Sequence, residues 1–352
     1  MKLVKVGSGA VVIVLDQVFT SKSERELFDI LEQSGVDRGK PLILDFTGVE
    51  SLDNTGINVL VKLYVRAKKT QNHLFAIGLS SPYRNVFEVA GLDKIFHINT
   101  RASVMFKMAS LTGSREVTRA ESQAESHWST TTGKLKVSAA PGQAINLNVN
   151  GRRTAGPVQG FGQLWEKTYR ADLSDTRLTP AQIISAVKSK FPELQPPENR
   201  FYPSDRGIAP GEIVLINALT PGGLVATGVL VLYADEDTFT FITPQGHPEA
   251  GWVTFRSFED GGRTILQIQG LARASDPIYE LAFRFAGSQI QEKIWRHVLE
   301  STAKFTGGAA QVQIEKKCLD TSLQWSRFFN VFQNAQILSM LHSITHPFGR
   351  NK

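Results

Sequence analysis

Two stretches of this 352-residue chain carry side chains whose types and spacing could do chemistry. His247 and Glu249 stand two residues apart in Gly246-His247-Pro248-Glu249-Ala250-Gly251. In extended backbone, residues two apart project to the same side, so the pair could serve as acid and base or as ligands to a bound molecule. Arg273, Arg284 and His297 are charged or titratable groups that could join them. The competing reading is structural: a tight strand connection in which His247 bonds backbone carbonyls and Glu249 pairs with an arginine. The other stretch is Asp53-Asn54-Thr55-Gly56, which opens an apolar-periodic segment. Asp53 is a natural helix cap there, and Thr55 places a hydroxyl where a helix N-terminus would favour a phosphate. Capping alone accounts for these residue types; modification of Thr55 is the alternative.

Other chemistry is disfavoured. There is no G-x-S-x-G, no H-E-x-x-H and no P-loop, so no catalytic residue is assigned. Gly160-Phe161-Gly162 and Pro221-Gly222-Gly223 lack the strand-to-helix context of a phosphate cradle and read as turns. Cys318 is the one cysteine, which removes intramolecular disulfides and cysteine-rich zinc sites and fits a reducing cytoplasm. No metal and no cofactor is expected. The net charge of +6 is spread along the chain rather than gathered on one helix, so nucleic acid is not an expected partner. The apolar run Val11 to Leu15 is too short for a secretion signal or a membrane span. With 41% hydrophobic and 20% charged residues, the chain has the make-up of a globular protein, and its length favours two domains.

The elements that must position these residues follow from periodicity. Val11 to Leu15, Pro41 to Phe46 and Leu74 to Ile77 read as buried strands. Ser21-Lys22-Ser23-Glu24 has capping-box spacing before Leu27, Ile30 and Leu31, and Ile57, Leu60, Val61, Tyr64 and Val65 repeat at helical offsets after Asp53. A short helix from Pro82 to Ala90 is closed by Gly91. Alternating strands and helices predict an α/β domain over residues 1–110. Residues 111–155 read as a polar linker, with a hairpin around Pro141-Gly142 at its end. From 156 to 303 the order is one strand, a helix from Thr179 to Phe191, five crowded strands and a long helix from Asp276-Pro277 to about Thr302. That predicts an α+β domain, a curved antiparallel sheet wrapped around one helix, with room for a cavity between them. Residues 304–352 add a strand and an amphipathic helix. The aromatic face of the latter, Leu323 to Ile344, must dock on the domain, pair in a dimer or lie on a membrane, and docking is the expectation.

The segment Leu44-Asp45-Phe46-Thr47-Gly48-Val49-Glu50-Ser51-Leu52-Asp53-Asn54-Thr55-Gly56-Ile57, with Ser81-Pro82 and Val86-Phe87-Glu88-Val89-Ala90-Gly91-Leu92 further on, resembles the STAS family of anti-sigma factor antagonists. That resemblance implies a mixed sheet with helices, and a protein partner such as an anti-sigma factor kinase or a related signalling protein, released when the serine after the aspartate is phosphorylated. The acceptor position is Asn54 here, which cannot take a phosphate. Asp53, Asn54, Thr55 and Gly56 are therefore the candidate partner-binding loop. From about Gly156 onward, the Gly246-His247-Pro248-Glu249-Ala250-Gly251 stretch, with Ser275-Asp276-Pro277-Ile278-Tyr279, resembles a START-like helix-grip family of bacterial proteins of unknown function. This implies a helix-grip fold with a candidate pocket for an apolar small ligand, near His247, Glu249 and Arg273. The expected protein is a regulatory binding module rather than an enzyme; a lipid-like carrier or enzyme in the second domain is the alternative.

Overall fold

Short β-branched runs separated by amphipathic segments wind the first hundred residues into a mixed, mostly parallel sheet. A computed structural model describes residues 1–6, 10–99, 126–131, 133–137, 140–142, 144–173, 176–307 and 310–345. The chain divides into two compact units, Met1–Trp128 and Ser129–Lys352.

In the first unit the strands are β1 (Lys2–Val6), β2 (Ala10–Val14), β3 (Val18–Phe19), β4 (Pro41–Asp45), β5 (Ser51–Leu52), β6 (His73–Ile77) and β7 (Phe96–Asn99). The helices are α1 (Ser23–Ser34), α2 (Asn54–Thr70) and α3 (Ser81–Val89). The main sheet has the order β1-β2-β4-β6-β7, antiparallel at β1 and parallel elsewhere, which makes it mixed. A two-stranded parallel pair joins β3 to β5. The core is a chain of edge-to-face rings, Phe19 to Phe46 to Phe87 to Phe96, with centroids 6.4, 5.7 and 5.6 Å apart. Strands β1, β3, β5 and β7 are additions to the three that periodicity predicts; β3 and β5 are two residues each, too short to show alternation.

The second unit is one antiparallel sheet of eight strands: β8 (Leu164–Asp172), β9 (Asn199–Tyr202), β10 (Ile213–Thr220), β11 (Gly223–Ala234), β12 (Thr238–Ile242), β13 (Glu249–Asp260), β14 (Arg263–Ala274) and β15 (Val312–Asp320). Their order is β15-β8-β14-β13-β12-β11-β10-β9. Helix α4 (Pro180–Ser189) starts with a full capping box between Thr179 and Gln182. Helix α5 (Pro277–Ala282) is capped by Asp276, whose carboxylate accepts the Ile278 and Tyr279 N–H groups. The single long helix expected from Pro277 is instead α5, a π turn over Phe283–Gly287, and α6 (Ser288–Phe305). The π turn ends at Gly287, a residue that holds a regular helix poorly.

Val298 and Leu299 of α6 sit in a core with Ile183, Phe191, Phe239, Phe241 and Phe255. The sheet grips α6, as a helix-grip fold requires.

Residues 304–352 are part of this unit: β15 pairs with β8, and α7 (Ala335–Thr345) packs on β11. The aromatic stretch is not one helix but a 3₁₀ helix (Trp325–Gln333) followed by α7. Asn334 forces the break. It is fully buried, donates to Asp276 at 2.8 Å and accepts the Ile337 N–H, so its side chain caps α7. One side of α7 docks through Ser339, which accepts the Ala226 N–H at 3.1 Å. Trp325, Phe329, Phe332 and Ile344 stay largely exposed.

Of the expected linker, 111–125 lies outside the described residues, as do 132, 138, 139 and 143. The expected hairpin is not a pair of strands among the described residues: Leu135, buried, exchanges backbone hydrogen bonds with Gly151 and Arg152 instead.

Candidate functional site

In the first unit, the turn leading into α2 is held on three sides. Tyr83, brought in by α3, donates its hydroxyl to Glu50 O (3.1 Å) and accepts the Leu52 N–H (3.0 Å). Asp53 then caps α2, accepting the N–H groups of Thr55 (3.0 Å) and Gly56 (2.8 Å). Gly56 has no room for a side chain: a Cβ there would stand 2.5 Å from Phe19 O. Asn54 and Thr55 are buried. The Thr55 hydroxyl bonds Asp53 (2.8 Å) and accepts the Ser21 N–H (2.8 Å), so its hydrogen-bonding capacity is committed to the fold. We expect Asp53→Ala to lower stability by about 1–2 kcal/mol through the lost cap, read by urea denaturation. Thr55 should stay unphosphorylated when the intact protein meets a serine/threonine kinase, and phosphopeptide mass spectrometry checks that.

Trp128, counted above as linker, also belongs to this turn. It is buried, and its indole N–H donates to Leu52 O at 2.9 Å. A lone tryptophan in a polar Ser/Thr stretch was the one visible signal for it.

In the second unit, a cavity of about 550 Å³ lies between the concave face of the sheet and the α5–α6 region. Strand alternation supplies its walls: Trp165, Lys167 and Tyr169 from β8, Val225, Thr227 and Val229 from β11, Gly270 and Ala272 from β14. Trp252, Phe283, Gln291, Ile294 and Trp295 complete it, and exposed Phe285 with Pro221 and Gly222 marks its mouth. The size suits a drug-sized apolar molecule.

His247 and Glu249 both line this cavity. They do not bond each other through their side chains. His247 Nδ1 lies 3.1 Å from the Glu249 N–H, while the Glu249 carboxylate accepts Gln291 Nε2 at 2.6 Å. Glu249 therefore pairs with a glutamine, not an arginine. The same Gln291 accepts from Lys167 Nζ at 2.6 Å, which makes a relay of ammonium, amide and carboxylate.

The glycines flanking this pair are there for close approach. Gly246 has φ +87°, and a Cβ would strike Gln333 O; one on Gly251 would strike Leu271 O.

Burial pushes the His247 pKa down to about 4, against a smaller upward pull from the Glu249 carbonyl, 3.1 Å from Nδ1. The ring is thus neutral at pH 7. Because the folded pKa lies below the unfolded one, the unfolded chain binds the extra proton first. The stability tied to this ring is complete above about pH 6.5 and drains away as pH falls toward 4. The His247 Hε1 resonance should titrate near pH 4, well below an exposed histidine.

Arg273 does not join them. It stands on the opposite face of β14 from Gly270 and Ala272, buried, with its guanidinium 2.6 Å from Asp320 and donating to Gly162 O and Ser322 O. Strand parity explains the correction: a residue next to Ala272 must face away from the cavity. Arg284 is paired with Glu280, and neither it nor His297 lines the cavity. Tyr169 and Thr227, which sequence patterns alone do not single out, do.

Among the comparisons with known proteins, the family model matches the first unit. A family model described as "Mlab, STAS domain" covers residues 4–99. The anti-sigma-B factor antagonist of Listeria monocytogenes is 30% identical over 80 residues, which is 23% of this chain and 68% of that protein; the Listeria innocua protein of the same name matches equally. The chain belongs to the STAS family of anti-sigma factor antagonists through this unit. Among solved structures, the di-domain ARO/CYC StfQ from the steffimycin biosynthetic pathway is similar at 12% identity and TM-score 0.31, over 41% of this chain and 51% of that one. Major latex-like protein 151 of Panax ginseng is similar at 12% and 0.28, over 42% and 99%. No helix among the described residues is long and apolar enough to cross a membrane.

Proposed function

We propose that the protein is a regulator whose first unit binds a protein partner around the Asp53–Gly56 turn, and whose second unit holds an apolar small molecule in the cavity near His247 and Glu249. The observation that carries the second half is the cavity itself, some 550 Å³ walled by Trp165, Phe241, Trp252 and Trp295. A chain that only scaffolds a partner gains nothing from a void of that size, since each unfilled methyl-sized space costs about 1 kcal/mol. The relatives' name supports an anti-sigma factor as the class of partner.

The accessible part of the turn is its rim. Residues 54–61 are buried, whereas Val18, paired with Ser51 across β3 and β5, is 56% exposed. Retrieval of an anti-sigma factor from the native host by the full chain, with loss on Val18→Glu, is the expected result. Retention of the same factor by Val18→Glu and Asp53→Ala alike would move the docking surface elsewhere. Ligand binding is proposed to bias this docking; equal partner affinity with empty and filled cavity would end that coupling.

One observation favours a second reading, a carrier of lipid-like molecules. Ile278 and Phe285 both line the cavity and are 47% and 81% exposed, which gives the mouth an apolar rim. Catalysis is not favoured: His247 is tied by Nδ1 to backbone and Glu249 is held by Gln291, which leaves no acid and base facing each other.

A further inference from the structure

Two residues of the cavity wall carry a buried hydroxyl with no hydrogen-bond partner among the described residues. Tyr169 is 1% exposed and Thr227 2%, both line the cavity, and neither Tyr169 OH nor Thr227 Oγ1 has a hydrogen-bond partner among the described residues. Each such group is destabilising when left alone, and nearly every buried polar side chain in a folded protein finds a partner. Phenylalanine and valine would fill the same spaces in β8 and β11 without that cost, so the hydroxyls themselves call for an explanation. Both can donate and accept.

The charged groups nearby do not ask for a charged molecule. Lys167 and Glu249 are joined through opposite ends of the Gln291 amide, each at 2.6 Å, so the cation and the carboxylate offset one another within the wall. The His247 ring is uncharged at neutral pH. The rest of the wall is largely aromatic and aliphatic, with Trp165, Phe241 and Trp295 among its residues.

Resting on the reading of this cavity as a ligand site, we propose that its occupant is a neutral, ring-bearing apolar molecule with hydroxyl or carbonyl oxygens, which Tyr169 and Thr227 anchor. The ligand supplies the hydrogen bonds the fold leaves unmade. Selectivity then comes from oxygen, not from shape, because a site built around hydrogen-bonding groups rejects the analogue that lacks them.

The test uses two probes of nearly equal size, 4-phenylphenol and biphenyl, titrated into the full chain at pH 7. Trp165, Trp252 and Trp295 line the cavity, so intrinsic fluorescence reports binding. The wild type should prefer 4-phenylphenol by about tenfold or more. The paired variant Tyr169→Phe/Thr227→Val should bring the two probes to within about threefold of each other by losing affinity for 4-phenylphenol alone. Its melting temperature without probe should not fall, since unmet polar groups have been removed. Thr227→Val by itself should show part of the effect, and serves if the paired variant does not fold. Equal affinity of the wild type for both probes, or a preference that survives in the variants, overturns the anchoring role while leaving the cavity reading intact. Binding of neither probe by a folded wild type overturns both.

Discussion

Arg273→Met should lower the unfolding free energy of the second unit by about 3–5 kcal/mol, the loss typical when one member of a buried ion pair is removed and its partner charge stays behind. The reason lies in what the guanidinium holds. It bonds Asp320 at the end of β15, the Gly162 carbonyl ahead of β8 and the Ser322 carbonyl at the start of the C-terminal segment, so one side chain ties three parts of the chain over the outer face of the sheet. With it gone, Asp320 is left buried without its cation, although it still accepts the Ser322 N–H. Burial pulls the Asp320 pKa up, but the Ser322 N–H and the Arg273 guanidinium pull it down further, to well below the usual carboxylate range. A depressed carboxyl pKa contributes stability that is present above the unfolded value and is lost as pH falls through the folded one. Arg273→Met should therefore flatten the acid limb of stability against pH as well as lower the plateau. Replacing both partners, Arg273→Met with Asp320→Leu, should recover most of the loss, because a matched apolar pair leaves no orphaned charge. Denaturant unfolding of the three proteins checks this; a loss under about 1 kcal/mol for Arg273→Met would show that the pair is not structural.

Gly270→Leu should abolish ligand binding while keeping the protein folded, a loss of about a hundredfold or more in affinity because the new side chain occupies ligand space. Gly270 lines the cavity in the middle of β14, between Lys167 of β8 and Val253 of β13, and a Cβ built there meets nothing within 4 Å. Its backbone is ordinary extended strand, so a side chain brings no backbone strain, and glycine inside a strand is itself unfavourable. The replacement is expected to hold or raise the melting temperature by filling empty space. The contrast with Gly251 is instructive. It faces the same cavity, but a Cβ there would lie 2.2 Å from Leu271 O, so substitution at that position should disrupt the sheet. Probe titration and thermal melts of Gly270→Leu separate a blocked cavity from a damaged fold.

Much of this architecture is readable from residue order. Val11 to Leu15, Pro41 to Phe46 and Leu74 to Ile77 became β2, β4 and β6 because a buried parallel strand is a continuous apolar run. The caps at Asp53, Thr179 and Asp276 mark their helices because side-chain oxygens must meet the free N–H groups of a first turn. Elements that depend on partners distant in sequence are not readable in this way. β9 is four residues long and owes its place to β10, and the kink at Asn334 exists because Asp276, 58 residues away, bonds it. The site was half legible. His247 and Glu249 carry a visible motif, but its glycines answer to backbone packing, and the unpartnered hydroxyls of Tyr169 and Thr227 are spread over β8 and β11, on opposite flanks of β14, β13 and β12. Arg273 drew attention as a charge near the motif; only the register of β14 shows that it faces the other way.

The most direct measurement is native mass spectrometry of the full chain, purified gently from its own host alongside Gly270→Leu. The account predicts that the wild type carries a noncovalently bound neutral small molecule, extractable into organic solvent, and that Gly270→Leu travels at the mass of the polypeptide alone. Both proteins at the bare polypeptide mass, or the same bound molecule on both, would contradict the claim that this cavity is a ligand site.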